Sequence, residues 1–141
     1  MMLKKFYKFF IFPYTIFLLY LMFFGMGRYQ YDENVIRIEP VFSTLNFIEN
    51  TIRWWDIIRI VLGNVIMFIP FGFLGCAFPQ LKDLKSTVMV FVSAIVIVEG
   101  LQYFTRLGIF EIDDIILNTF GVYLGYKIRT FFELRFKNSV V

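Results

Sequence analysis

The sequence predicts an all-α integral membrane protein, a single domain over residues 1–141 with four transmembrane helices and both termini inside. A short extracellular amphipathic segment is expected between the first and second helices. Three observations carry that expectation. Of 141 residues, 59% are apolar and only 18% charged, against about 45–50% and about 25% in ordinary soluble domains. Four apolar stretches approach the length of about 20 residues that a helix needs to cross about 30 Å of hydrocarbon. The basic residues gather on alternate connecting segments. Twenty Phe exceed what one modest core can hide in so short a chain, so lipid is the natural place for the excess. This arithmetic disfavours a soluble enzyme, a disordered tail and a nucleic-acid binder.

The first stretch, Phe9 to Met26, is interrupted only by Pro13, Tyr14 and Thr15. Its basic start resembles a secretory signal, but the run is long and Gly25-Met26-Gly27 is a poor small-x-small cleavage site. An uncleaved helix is the expectation. From Phe42 the long loop can be wound as a helix with Leu45, Ile48, Ile52 and Trp55 on one face and Asn46, Glu49, Asn50 and Arg53 on the other. That pattern, ending in Trp54-Trp55, suits a helix lying at a membrane interface. A plain loop with a Trp anchor is the alternative. The second stretch, Ile57 to Phe78, carries Arg59, Asn64 and Pro70, and the third, Thr87 to Phe104, carries Glu99 and Gln102. The fourth, Ile112 to Phe131, opens on Asp113-Asp114 and closes on Lys127 and Arg129. Two aspartates at mid-membrane would cost about 5–7 kcal/mol, more than the roughly 4 kcal/mol its Ile, Leu, Val and Phe residues return. They must lie near the surface, be protonated, or be paired.

With the N-terminus inside, the inner segments hold Lys4, Lys5, Lys8, Lys82, Lys85, Lys127, Arg129, Arg135 and Lys137. The outer ones hold Arg28, Arg37, Arg53, Arg59 and Arg106. The net charge of +3 therefore records orientation rather than an affinity for nucleic acid. With no His and a single Cys, an internal disulfide, a His-ligated zinc and a Ser-His-Asp triad are all excluded. Cys76 sits in an apolar run and reads as a packed thiol. No metal and no cofactor are implied.

The informative residues are the polar ones inside the spans, because an ionisable group in a membrane helix is costly. Glu99, Gln102 and Arg106 follow an i, i+3, i+7 spacing that places them on one helical face. Asp114, Asn118, Gly121 and Gly125 form a second stripe, and Asn64, Phe68, Phe71 and Gly75 a third. At about 1.5 Å per residue, Glu99 lies about 20 Å from the inner end of its helix. Gln102, Arg106, Asp113, Asp114, Asn118, Asn64 and Arg59 then gather at the outer ends. One reading is an outward-facing polar cup; the other is an interhelical network that only fixes the bundle. Gly121 and Gly125 make a small-xxx-small pair suited to close packing, and Pro70 removes a backbone bond and predicts a kink.

Two strings resemble a known family. Asn64-Val-Ile-Met-Phe68-Ile-Pro70-Phe-Gly72-Phe-Leu74 is similar to the N-x3-F-x-P-x-G-x-L signature of VanZ-like membrane proteins. Glu99-x2-Gln102-x3-Arg106, followed by Asp114-x3-Asn118-x2-Gly121-x3-Gly125, resembles the family's second block. Glu111 departs from it, standing where the family more often has Asp, and so ranks below Asp114. The resemblance covers the chain from about Arg37 onward. It implies a small polytopic protein of the bacterial plasma membrane, in a family whose founding member is associated with resistance to teicoplanin-type glycopeptides. It attaches no catalytic reaction.

The functional expectation is a non-enzymatic envelope protein. Its cup of Glu99, Gln102, Arg106, Asp114, Asn118 and Asn64 would bind a lipid headgroup, a lipid-linked wall precursor or a lipophilic glycopeptide. Arg53, Arg59, Asp113 and Glu111 are secondary candidates, and Pro70, Gly72, Gly121 and Gly125 are assigned to packing. An arginine there would offer a bidentate fork to phosphate or carboxylate. A small intramembrane enzyme, with Glu99 as acid and Asp114 as base, and a flippase are the alternatives, and a homo-oligomer stays open.

Overall fold

The computed structural model describes residues 2–25, 29–37 and 62–137. Helix accounts for 82% of them, so the fold class is all-α. The helices are α1 (Met2–Phe24), α2 (Leu62–Ala77), α3 (Leu84–Thr105) and α4 (Ile112–Lys137). The amphipathic segment expected over 42–55, the start of the second expected span, Arg53 and Arg59 all lie outside the described residues.

Helix α1 begins well before the apolar run, because Leu3 to Lys8 contain no helix breaker. Pro13 lies inside it, and the helix runs on past it to Phe24. In α2, Pro70 lacks the N–H that would continue the i→i−4 ladder. The helix answers by tightening into a 3₁₀ stretch over Ile69–Phe73 before a last α turn at Leu74–Ala77. Asp83 caps α3, its carboxylate accepting from the Ser86 N–H at 2.8 Å. That bond satisfies one of the otherwise unpaired donors of the first turn.

The chain alternates direction. Tyr7 and Tyr14 of α1 reach the carbonyls of Pro70 and Met67, respectively, so α1 and α2 are antiparallel. At the other end of α1, Gln102 of α3 reaches the Met22 carbonyl. Helices α2 and α4 run parallel: Gly121 lies against Val65, Gly125 against Ile69, and Gly75 against Arg129. A Cβ at Gly121, Gly125 or Gly72 would overlap backbone atoms of the facing helix. Only hydrogen lets the two backbones come this close. Leu18, Phe68, Phe91, Ile95 and Val122 form the apolar centre.

The loop after α1 contributes a feature outside the all-helical expectation. Strand β1 (Ile36–Arg37) pairs in parallel with β2 (Phe110–Glu111), Ile36 opposite Phe110 and Arg37 opposite Glu111. Two residues per strand are too few for a sequence pattern to reveal.

Among the described residues, Lys5–Phe24 and Leu84–Thr105 have the length and apolarity to cross a membrane. The described part of α2 is about 24 Å long and α4 about 39 Å. The charges of Asp113, Asp114, Lys127, Arg129 and Glu133 lower the apolar character of α4. Many large apolar side chains of the described helices are exposed, Phe9 by 81% and Phe104 by 77%.

Candidate functional site

On α3 the buried stripe reads Thr87, Phe91, Ile95, Glu99, Gln102, a helical period that turns from apolar to polar towards its C-terminus. On α4, Asn118 precedes the core residue Val122 by one turn, and on α2, Asn64 precedes Phe68 by one turn. Each polar residue thus continues a core-facing stripe past the apolar centre, all at the end of the bundle where α3 turns into α4. Glu99 is 1% exposed, Gln102 2% and Asn118 1%, among the largest fully buried side chains of the protein. Burying such groups costs several kcal/mol unless they find partners, so their concentration at one level is the site's defining feature.

Some partners are plain. Gln102 Nε2 donates to the Met22 carbonyl at 2.7 Å, holding the last turn of α1 against α3. Asn64 Nδ2 donates to Asp114 Oδ1 at 2.7 Å, joining α2 to α4. Asp113 is buried and Asp114 half-buried, both in the first turn of α4, where the helix dipole favours a carboxylate. The Asn118 side-chain oxygen Oδ1 and the Thr119 hydroxyl are buried with no hydrogen-bond partner among the described residues. The structure therefore brings Asn64, Glu99, Gln102, Asp113, Asp114 and Asn118 to one end of the core.

Arg106 is placed differently. Helix α3 stops at Thr105, and Arg106 takes a left-handed conformation, φ 57° and ψ 20°. Its N–H bonds the Tyr103 carbonyl, and the Leu107 N–H bonds that of Gln102, the paired Schellman ending in which Gly is usual. The side chain consequently leaves the α3 stripe. It is exposed, with Nε donating to Asn34 Oδ1 at 2.9 Å and Nη1 to the Asp32 carbonyl at 3.0 Å. Glu111 likewise turns to the loop, accepting from Arg37 Nη1 at 2.6 Å. Arg106 and Glu111 thus hold the 29–37 loop over the end of the bundle, at the rim of the buried set.

At the opposite end, sequence reasoning overlooked Arg129. It is 4% exposed, with Nη2 donating to the Lys82 carbonyl at 2.5 Å and its guanidinium 4.6 Å from the centre of the Tyr126 ring. Glu133, one turn on, is 3.7 Å away. Its signal was present: the Asn118, Gly121, Gly125 stripe reaches Arg129 one turn later. Gly75 makes room for it, since a Cβ there would strike the guanidinium.

The family model for VanZ/LLP1 matches residues 10–133. The chain belongs to the VanZ/LLP1 family. Protein VanZ of Enterococcus faecium is 30% identical over 104 residues, 73% of this chain and 57% of that relative's length. This VanZ/LLP1 chain therefore spans little more than half of the curated relative. No solved structure matches it. All six residues clustered at the end of the core fall inside the matched stretch.

Proposed function

We propose that this VanZ/LLP1 chain is a polytopic protein of the bacterial plasma membrane, with four spans and both termini inside. The buried polar end of the bundle faces outward. It receives the polar headgroup of a membrane-embedded ligand: a lipid, a lipid-linked wall precursor or a lipophilic glycopeptide. Occupancy lowers susceptibility to teicoplanin-type antibiotics without a chemical reaction.

One observation carries the reading: Glu99, Gln102 and Asn118 are almost wholly buried at one level, beside the Asn64–Asp114 pair. A network that served only packing has no need to gather at a single end. Carboxylates and amides accept from amino and hydroxyl groups, while Arg106 at the rim suits a phosphate or carboxylate. The alternating direction of α1 to α4 and the apolar coat fit a membrane bundle, and the lysines Lys5, Lys8, Lys82 and Lys85 at the opposite end fit an inner face.

The test is susceptibility in a teicoplanin-sensitive bacterium expressing the chain. The wild type raises the inhibitory concentration of teicoplanin, and Glu99→Gln and Asn118→Leu return it to the vector level at equal membrane abundance. A wild type that leaves susceptibility unchanged overturns the resistance role. For topology, a C-terminal fluorescent fusion should glow and a C-terminal alkaline-phosphatase fusion should be inactive.

A further inference from the structure

Helices α1, α2 and α3 line a groove of about 610 Å³ that runs along the bundle. Its walls are apolar, formed by residues such as Ile16, Leu19, Phe71, Val90 and Ala94. The volume is that of a ligand pocket rather than of a packing defect. Among the described residues, two polar side chains line it. Thr15 already donates to its own helix, at the Ile11 carbonyl, which leaves Lys8 as the charged group on the described wall.

The two ends differ. Along α1 the lining runs from Lys8 to Met22, about 21 Å, a length suited to one acyl chain. At the Met22 end the backbone carbonyl is occupied by Gln102 Nε2, so that carbonyl is taken. At the other end Lys8 Nζ stands 5.5 Å over the Phe78 ring, held at the mouth by a cation–π contact. Lys5, Lys82 and Lys85 are exposed at the same end. The acids described at that end, Asp83 at the cap of α3 and Glu133 beside Arg129, are outnumbered by the four lysines. The mouth is therefore cationic and the interior apolar.

We infer that this groove binds one acyl chain of an anionic phospholipid, its phosphate headgroup at Lys8. The cationic mouth lies at the opposite end from the polar cluster, which the groove approaches at Met22, and the assignment does not depend on the function proposed there. Lysine clusters at a membrane surface draw anionic lipids, and a concave wall retains a chain that a convex helix surface would exchange freely.

The experiment uses the full chain, reconstituted in vesicles of equal phosphatidylglycerol and phosphatidylcholine, extracted in detergent and weighed intact by native mass spectrometry. The wild type should retain one phospholipid per chain, with phosphatidylglycerol favoured about fivefold, the attraction expected of one lysine near a surface. Lys8→Gln should keep the bound lipid and lose the preference. Ala94→Phe, which fills the groove from an exposed position of α3, should lose the lipid while melting like the wild type. Retention of no lipid by the wild type, equal retention of both lipids, or undiminished retention by Ala94→Phe overturns the assignment. A dimer that Ala94→Phe turns into a monomer would also overturn it, by assigning the groove to a second copy.

Discussion

The Tyr14 hydroxyl donates to the Met67 carbonyl at 2.7 Å, across 53 residues of chain and three positions before Pro70. In the 3₁₀ stretch that begins at Ile69, the N–H at position 70 would have bonded that carbonyl, and proline has none. The tyrosine supplies the missing donor. A second tyrosine two turns earlier, Tyr7, reaches the Pro70 carbonyl at 2.7 Å. Helix α1 is thereby fastened to the irregular segment of α2 that carries Pro70.

Tyr14→Phe removes this donor and leaves a half-buried carbonyl short of one bond, a loss of about 1–3 kcal/mol. Pro70→Ala restores an N–H at position 70 and makes the tyrosine redundant. A double-mutant cycle on thermal unfolding in detergent should therefore show coupling between the two positions of about 1 kcal/mol or more. Strict additivity would show that the tyrosine does not serve the proline.

The parallel contact of α2 and α4 allows a comparison of glycines. Gly125→Ala places a methyl against the Ile69 carbonyl, which is backbone and cannot swing aside, so overpacking should cost about 1–3 kcal/mol. Gly100→Ala, on α3, meets nothing within 4 Å and should be neutral or gain up to about 1 kcal/mol from helix propensity. Unfolding midpoints in one detergent decide it, and equal effects would place the tight seam elsewhere.

Arg106 combines a left-handed backbone with a side chain that holds the 29–37 loop. Arg106→Ala loses the loop contacts and keeps the backbone strain, whereas Arg106→Gly loses the contacts and relieves the strain. Glycine should be the more stable of the two by about 1 kcal/mol. Both variants should expose residues 29–37 to protease alike. An alanine variant as stable as the glycine one would show that the conformation costs nothing.

The Ser86 N–H holds the Asp83 carboxyl below its ordinary value of 3.8. A depressed carboxylate contributes stability that is complete above the unfolded value and is lost as pH falls through the folded one. Thermal stability of the wild type should therefore drop below about pH 4 by more than that of Asp83→Asn, which caps without titrating. Parallel pH curves for the two proteins would remove the cap from the acid response.

Much of this protein is legible in its helical periods. Glu99 and Gln102 lie on the buried face of α3 because their stripe continues Phe91 and Ile95, and the period of one helix is local information. Arg106 shows where that reasoning ends. An i, i+7 spacing presumes a continuing helix, and the Schellman ending at Thr105 breaks it, turning the guanidinium to Asn34 and Asp32. The partners of the Arg106 side chain lie in a loop 70 or more residues away in sequence, which no window of neighbouring residues contains.

The amino-acid sequence alone determined the apolar character of the chain, its helical class, the family motifs and the small set of polar residues set into apolar helices. Those follow from composition and from spacing within single elements. Only the tertiary structure decided that α2 and α4 meet backbone to backbone, that Tyr14 completes the proline segment, that Arg129 clamps the turn before α3, and that β1 pairs with β2. Each depends on the register of segments far apart in the chain. That register is set by which glycines allow close approach and which buried carbonyls still need a donor.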